Sequence, residues 1–296
     1  MRIAAKTLDA INTALIADQG AKFRGLLRQS MPLAEDAYSE DEGGFRTHLG
    51  ASLIGRKCNR ELWYSFRWAT EKKFDGRMLR LFNRGHLEEP RFVALLQMIG
   101  CTVYQHTAEG KQFRIPGYRG HYGGSLDAVV TGCPDIENGV PILGEFKTHG
   151  DKSFQKLKTD GVMSAKWEHF IQMQEYMGEM VLPAALYMAV NKNDDEIHAE
   201  IVQFDRGQYE RYKARAVSII EGGIIPPKLN ESPAWYECKF CDHHSICHKN
   251  QTPHKTCRTC VQALPGNDGQ WICQRDSKAL SKEDQLAACE VYSPIA

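Results

Sequence analysis

Residues 123–130, Gly-Gly-Ser-Leu-Asp-Ala-Val-Val, and residues 141–150, Pro-Ile-Leu-Gly-Glu-Phe-Lys-Thr-His-Gly, decide the fold. Each reads as a short β-strand carrying a carboxylate, Asp127 in the first and Glu145 in the second. From Val140 the second segment is apolar and ends in a period-two alternation, so Glu145 and Lys147 project to one side and Phe146 to the other. Gly132, Pro134, Asp135, Asn138 and Gly139 punctuate the connection, which suits a hairpin that brings Asp127 alongside Glu145. Two carboxylates so placed can share a divalent cation, and a lysine beside them can meet an attacking water or a phosphate. The competing reading of the same residues is a solvated strand with ordinary surface charges.

The pattern of Asp127, seventeen intervening residues, then Glu145-Phe146-Lys147 resembles the core of the PD-(D/E)XK nuclease superfamily. Two further segments extend the resemblance. Upstream, in a helix expected over about Arg77 to Ile99, Arg84-Gly85-His86-Leu87-Glu88-Glu89-Pro90 resembles the RGxxxEP signature of the lambda exonuclease and YqaJ branch, which implies that Glu89 reaches the metal site from the first core helix. RecB-like members carry a histidine at that place, and His86 is the alternate from the same helix. Downstream, Gln172 and Tyr176 stand one helical turn apart and resemble the QxxxY motif of the RecB-like nucleases. On another face of that helix Phe170, Met173, Met177 and Met180 form an apolar stripe. A strand over Ala184 to Val190 completes the order of the superfamily core. The resemblance implies that Asp127, Glu145 and the backbone carbonyl of Phe146 hold Mg²⁺ or Mn²⁺, assisted by Glu89, that Lys147 serves the nucleophilic water and the phosphate, and that Gln172 and Tyr176 position the strand.

Ten cysteines form a second pattern. A secretory leader and an apolar run of about eighteen residues are both missing, so a cytoplasmic chain without a membrane span is expected, in a host cytoplasm if the gene is phage-borne, and clustered thiols there point to metal. Cys238, Cys241 and Cys247 give CxxCx5C, with Cys58 far upstream. This resembles the iron-sulfur RecB-like nucleases, including AddB and the CRISPR-associated exonucleases, and implies a [4Fe-4S] cluster that ties the ends of the nuclease domain together. Zinc is the alternative, with His243, His244 or His248 replacing the distant cysteine. Cys257, Cys260, Cys273 and Cys289 supply enough thiolates for a structural zinc, with Trp271 beside it and His254 as a substitute ligand. The last forty or so residues are poor in apolar side chains, so a metal would supply their folding energy. Cys101 and Cys133 read as core or turn residues.

The fold class expected is therefore α/β: a restriction-endonuclease-like core, with a central mixed sheet flanked by helices, and a cysteine-rich metal-binding C-terminal extension. Three segments are expected: an accessory segment over 1–45, with a helix from Thr7 to Leu27 and an acidic loop from Glu35 to Gly44; the nuclease domain over 46–250; and a zinc module over 251–296. Pro226 and Pro227 mark the exit from a helix over Gln208 to Glu221. Net charge is zero, whereas phosphate contacts favour a basic footprint. Arg56, Lys57, Arg60 and Arg67, interleaved with Trp63, Tyr64 and Trp68, and Lys152, Lys156, Lys158 and Lys166 are local basic groups, and such aromatic rings either stack on bases or pack into a core. The function expected is a metal-dependent DNA exonuclease of recombination, repair or replication, acting on a single strand or a duplex end, with the C-terminal module docking a protein partner or DNA. The alternatives are a non-catalytic nucleic-acid-binding or adaptor protein and an iron-sulfur redox protein.

Overall fold

The computed structural model describes residues 1–31, 45–137 and 139–295, so the acidic stretch from Glu35 to Gly44 and the turn residue Asn138 lie outside the described residues. The chain forms two compact units, Met1–Ser39 with Phe74–Ile115 and Ser125–Tyr209, and Glu40–Lys73 with Pro116–Gly124 and Glu210–Ala296.

The first unit is built on five strands, β1 (Thr102–Tyr104), β2 (Ala128–Thr131), β3 (Ile142–His149), β4 (Ala184–Asn191) and β5 (Ile197–Gln203), which pair in chain order. β3 and β4 run parallel, and the other pairs are antiparallel. A parallel pair needs a crossover, supplied by two helices, Asp151–Ala165 and Trp167–Met180. Alternation along the strands separates two faces. Ile142 and Phe146 of β3 with Leu186, Met188 and Val190 of β4 join the apolar core, where they meet Phe92, Val93 and Leu96 of the helix Gly76–Met98 and Ile11 of the helix Ala5–Asp18. The Phe92 and Phe146 rings stack there at 5.1 Å. On that face Gly144 is tightly packed, since a Cβ would lie 3.2 Å from both Ala128 Cβ and Val130 Cγ2 and would push on both. The opposite face receives Glu145, Lys147 and His149. This is the central mixed sheet with flanking helices expected from the sequence.

The single helix expected from Thr7 to Leu27 is two, Ala5–Asp18 and Ala21–Ser30. Gln19 and Gly20 adopt φ of 52° and 74°, a left-handed pair that ends the first helix. The Asp18 carboxylate then accepts the N–H groups of Ala21 and Lys22 at 3.1 and 2.8 Å, capping the second.

The second unit is held by short elements. Leu49–Gly50 pairs in parallel with Tyr122 and Gly123, and the helix Asn59–Phe66 starts from Cys58, whose Sγ accepts the Glu61 N–H. Ala263–Pro265, Trp271–Cys273 and Lys278–Leu280 form a small antiparallel sheet. Trp63, Trp68 and Trp271 are buried with two arginines. The Arg258 guanidinium lies 3.7 Å over Trp68 and donates to Thr47 O, Phe66 O and Gln285 Oε1, while Arg67 donates to Arg258 O and Ala263 O. Residues after 250 do not pack by themselves: Arg258, Ala263 and Trp271 share one core with Trp63 and Phe66. Among the described residues, no helix is long and apolar enough to cross a membrane.

Candidate functional site

Asp127 is not a strand residue, contrary to expectation: it occupies a bend one residue before β2. Backbone pairing with β3 begins at Ala128 opposite Gly144, and beyond it the Phe146 N–H donates instead to Asp127 Oδ2 at 2.8 Å. A side chain thus replaces a ladder carbonyl and pins the carboxylate over β3. Glu145 is fully buried and paired opposite Tyr187 of β4. The Lys147 ammonium sits on Glu145 Oε1 and lies 3.7 Å from Asp127 Oδ2. Glu145 Oε2 is buried without a hydrogen-bond partner.

Charge bookkeeping follows from this burial. Loss of solvent raises Asp127 to about 8; the Lys147 charge opposes the shift, and Glu145 and Glu89 add to it. Burial raises Glu145 as well. Burial alone would favour neutral Lys147, but Glu145 and Asp127 outweigh it and hold the ammonium above its usual range. Two buried carboxylates with one ammonium leave a centre that gains from a further cation.

Glu89, on the helix Gly76–Met98, lines the same cavity as Lys147 and is close enough for its charge to act on Asp127 and Glu145. His86 Nδ1 lies 3.5 Å from Glu89 Oε1, so the two candidates from this helix are neighbours. Glu88 is buried and paired with Arg91 at 3.1 Å, which separates the tasks of the two adjacent glutamates. Gln172 and Tyr176 are both buried, with Gln172 Nε2 donating to the Tyr176 hydroxyl at 3.3 Å. Burial raises the Tyr176 hydroxyl, and Glu145 and Asp127 add to the effect, which puts it within reach of the carboxylates. Phe170, Met173 and Met177 are buried too, so this helix is enclosed on both faces.

Sequence reasoning overlooked three groups beside this centre, His149, His169 and Tyr187, and read a fourth, Lys166, only as part of a local basic group. His149, Lys166 and His169 line the cavity with Glu89 and Lys147, and the Tyr187 hydroxyl lies 3.0 Å from both imidazoles. The signal for His149 was present: it continues the alternation of Glu145 and Lys147. Tyr187 needed the register of β4 against β3.

All ten cysteines are free thiols, and eight of them line two cavities. Cys58, Cys238, Cys241 and Cys247 line one cavity with His244 and His248. Burial pushes Cys241 up to about 12. His243, proposed as a ligand substitute, has both ring nitrogens engaged, by Ser65 Oγ at 2.9 Å and Thr70 Oγ1 at 2.8 Å. His248 Nε2 is buried without a hydrogen-bond partner. Cys257, Cys260, Cys273 and Cys289 line a second cavity with Tyr292. Trp271 packs on Phe66 rather than lining it, and His254 packs on Phe45. Cys101 and Cys133 are buried. Trp63, Tyr64 and Trp68 are at most 2% exposed, so they pack a core and present no face for a base. Among the described residues, no group of three or more His, Cys, Asp or Glu side chains is arranged to hold a metal ion as it stands.

No family model and no curated protein matches the chain. Solved structures with some similarity include LHK-Exo in complex with dAMP, at 15% identity and a TM-score of 0.41, covering 58% of this chain and 86% of that one. The alkaline exonuclease LHK-Exo from Laribacter hongkongensis gives 15% identity and a TM-score of 0.40 over the same shares, 58% and 86%. SSO0001 gives 16% identity and a TM-score of 0.39, covering 77% of this chain and 97% of that one. None of these similarities is close enough to place the chain in a family.

Proposed function

We propose that the chain is a metal-dependent deoxyribonuclease, an exonuclease of single strands or duplex ends. The observation that carries this reading is Glu145: a fully buried carboxylate whose Oε2 has no hydrogen-bond partner, one strand position from an N–H held by Asp127. A buried anion with an unanswered oxygen is costly unless a cation answers it, so the donor set fits Mg²⁺ or Mn²⁺. Glu145, Asp127 and the Phe146 carbonyl would hold the ion, with Glu89 assisting. When bound, it would supply electrophilic stabilisation of the phosphate and its leaving oxygen. Lys147 orients the attacking water and shares the developing charge, and Gln172 with Tyr176 positions the scissile strand. End-labelled single- and double-stranded DNA, incubated with Mg²⁺, Mn²⁺ or EDTA, tests this: cleavage with metal and none in EDTA or in Asp127→Asn is expected.

One observation favours a second reading. The Lys147 ammonium lies against both carboxylates and offsets one of their two charges without a metal, an arrangement that would also serve a non-catalytic nucleic-acid-binding or adaptor protein. DNA binding without hydrolysis under every metal condition would establish it.

For the thiols, we infer a [4Fe-4S] cluster on Cys58, Cys238, Cys241 and Cys247, supported by their shared cavity and all-thiol donor set, with zinc as the alternative. Cys257, Cys260, Cys273 and Cys289 are assigned a zinc ion on the same grounds. Anaerobically purified protein is expected to be brown, with absorption near ~400 nm from thiolate-to-iron charge transfer. A colourless protein holding only zinc would decide for the alternative. The proposed setting is recombination, repair or replication in the cytoplasm, with residues 251–296 docking a partner.

A further inference from the structure

Beside the carboxylates, one face of β3 and β4 continues into groups that metal-assisted hydrolysis does not use. Lys166 Nζ lies 2.5 Å from Ser153 Oγ, and Ser153 Oγ lies 3.4 Å from His149 Nδ1. His149 Nε2 lies 3.0 Å from the Tyr187 hydroxyl, which lies 3.0 Å from His169 Nδ1. The two imidazoles stack at 5.8 Å, and both line the cavity that holds Glu89 and Lys147.

Hydrogen-bond roles give this row a direction. An ammonium only donates, so Ser153 accepts from Lys166, and its own proton needs an acceptor. Among these groups that acceptor is His149 Nδ1, which leaves Nε2 as the protonated nitrogen. Nε2–H then donates to the Tyr187 oxygen, whose single proton goes to His169 Nδ1. His169 is left with its proton on Nε2. The reverse direction would load Ser153 with two donors and leave its hydroxyl proton without an acceptor in the row. Burial, reinforced by the charges of Lys166 and Lys147, keeps His149 and His169 neutral, at about 4 and about 2.

We propose that Lys166, Ser153, His149, Tyr187 and His169 form one polarised hydrogen-bond chain that presents the His169 Nε2–H as a donor to a non-bridging phosphoryl oxygen of a phosphodiester in the cavity beside Lys147. His169 touches the substrate, and the other four are positioning residues. A neutral donor suits this place: it adds no positive charge to compete with a cation for Glu145 and Asp127, yet answers an anionic oxygen. The proposal rests on the nuclease reading only for the identity of the ligand.

Nitrogen-15 NMR of histidine-labelled full-length chain in EDTA tests both halves, with the dinucleoside phosphate TpT as probe. Between pH 6 and 8 His169 is expected to carry its proton on Nε2, and TpT is expected to move that resonance. Tyr187→Phe, or Lys166→Met where the first variant fails to fold, is expected to release the tautomer into a mixture. In hydrolysis assays His169→Ala is expected to lower kcat/KM by about tenfold to a hundredfold, the scale of one hydrogen bond to a charged group, with partial rescue by His169→Gln, whose amide N–H remains a donor. A proton on Nδ1, a charged ring at pH 7, or resonances unmoved by TpT would overturn the proposal. Should the wild-type chain hydrolyse no DNA, the nuclease reading fails, and the TpT shift still decides whether His169 serves a phosphodiester.

Discussion

The two units position reactive side chains by different means. In the first, Glu145, Lys147 and His149 ride on a strand paired with β4 along its whole length from Leu143, and on its other side, past the end of the β2 pairing at Gly144, Asp127 is tied to it through the Phe146 N–H. In the second, the thiols sit on or beside short helices, at the end of a three-residue strand and in loops. The core beneath them rests on tryptophan rings and two guanidiniums bonded to carbonyls and one amide. A ladder fixes a site before any ligand arrives. Thiols on loops depend on their packing and on what they bind.

The largest effect should come from the ladder-borne site. Glu145→Gln and Asp127→Asn are expected to cut hydrolysis on the order of a thousandfold or more, about 4 kcal/mol in the barrier, while cooperative unfolding is retained. Loss of the fold in Glu145→Gln would show that the strand needs its charge and would erase the contrast. Next, Arg258→Ala in the second unit leaves carbonyls unpaired and a gap under Trp68. It is expected to cost about 3 kcal/mol in denaturant unfolding and to speed amide exchange over residues 45–73. Unchanged exchange there would mean that the tryptophans hold the unit alone. Cys58→Ser should remove bound iron, as read by metal analysis, while circular dichroism of the sheet stays native; zinc that is unaffected at Cys58 would favour the alternative site, in which a histidine replaces it. Retention of metal would break the assigned set. Gln172→Ala is expected to lower kcat/KM about tenfold, since it loosens Tyr176 through one hydrogen bond.

A further effect is shared by both units. Burial is the main cause that depresses His149 in the first, and His121 and His243 in the second, each to about 4. The unfolded chain binds protons at about 6.5, where these folded histidines do not, so stability is complete above that pH. It is expected to decline as pH falls from about 6.5 towards 4. A midpoint of unfolding that stays flat between pH 6.5 and 5 would contradict the burial of these rings.

What could be read from the sequence follows the same contrast. Period-two alternation exposes Glu145 and Lys147 directly, and helical spacing exposes Gln172 and Tyr176, because a local pattern maps onto a local direction. Cysteine spacing groups Cys238, Cys241 and Cys247, whereas Cys58, far upstream, came only from the resemblance to the iron-sulfur nucleases. The chain from Lys166 to His169 was not readable, since it requires the register of Tyr187 against Glu145 and the crossover that carries Ser153 and Lys166 to the strand end. Arg67 and Arg258 were also hidden. Arginine without an acidic neighbour reads as a surface charge, whereas here backbone carbonyls and indole faces satisfy it.

The one parallel pair in the sheet also orders events during folding. β2 and β3 form a local hairpin, but β4 arrives only after the 34 residues between His149 and Ala184 have been threaded back. Closing so long a loop costs entropy before any contact repays it. Until then Glu145 lies on an open edge, hydrated and without Tyr187 beside it. The charge that defines the site is therefore desolvated late, and a chain released from synthesis before residue 184 would carry a bare, apolar strand edge in water.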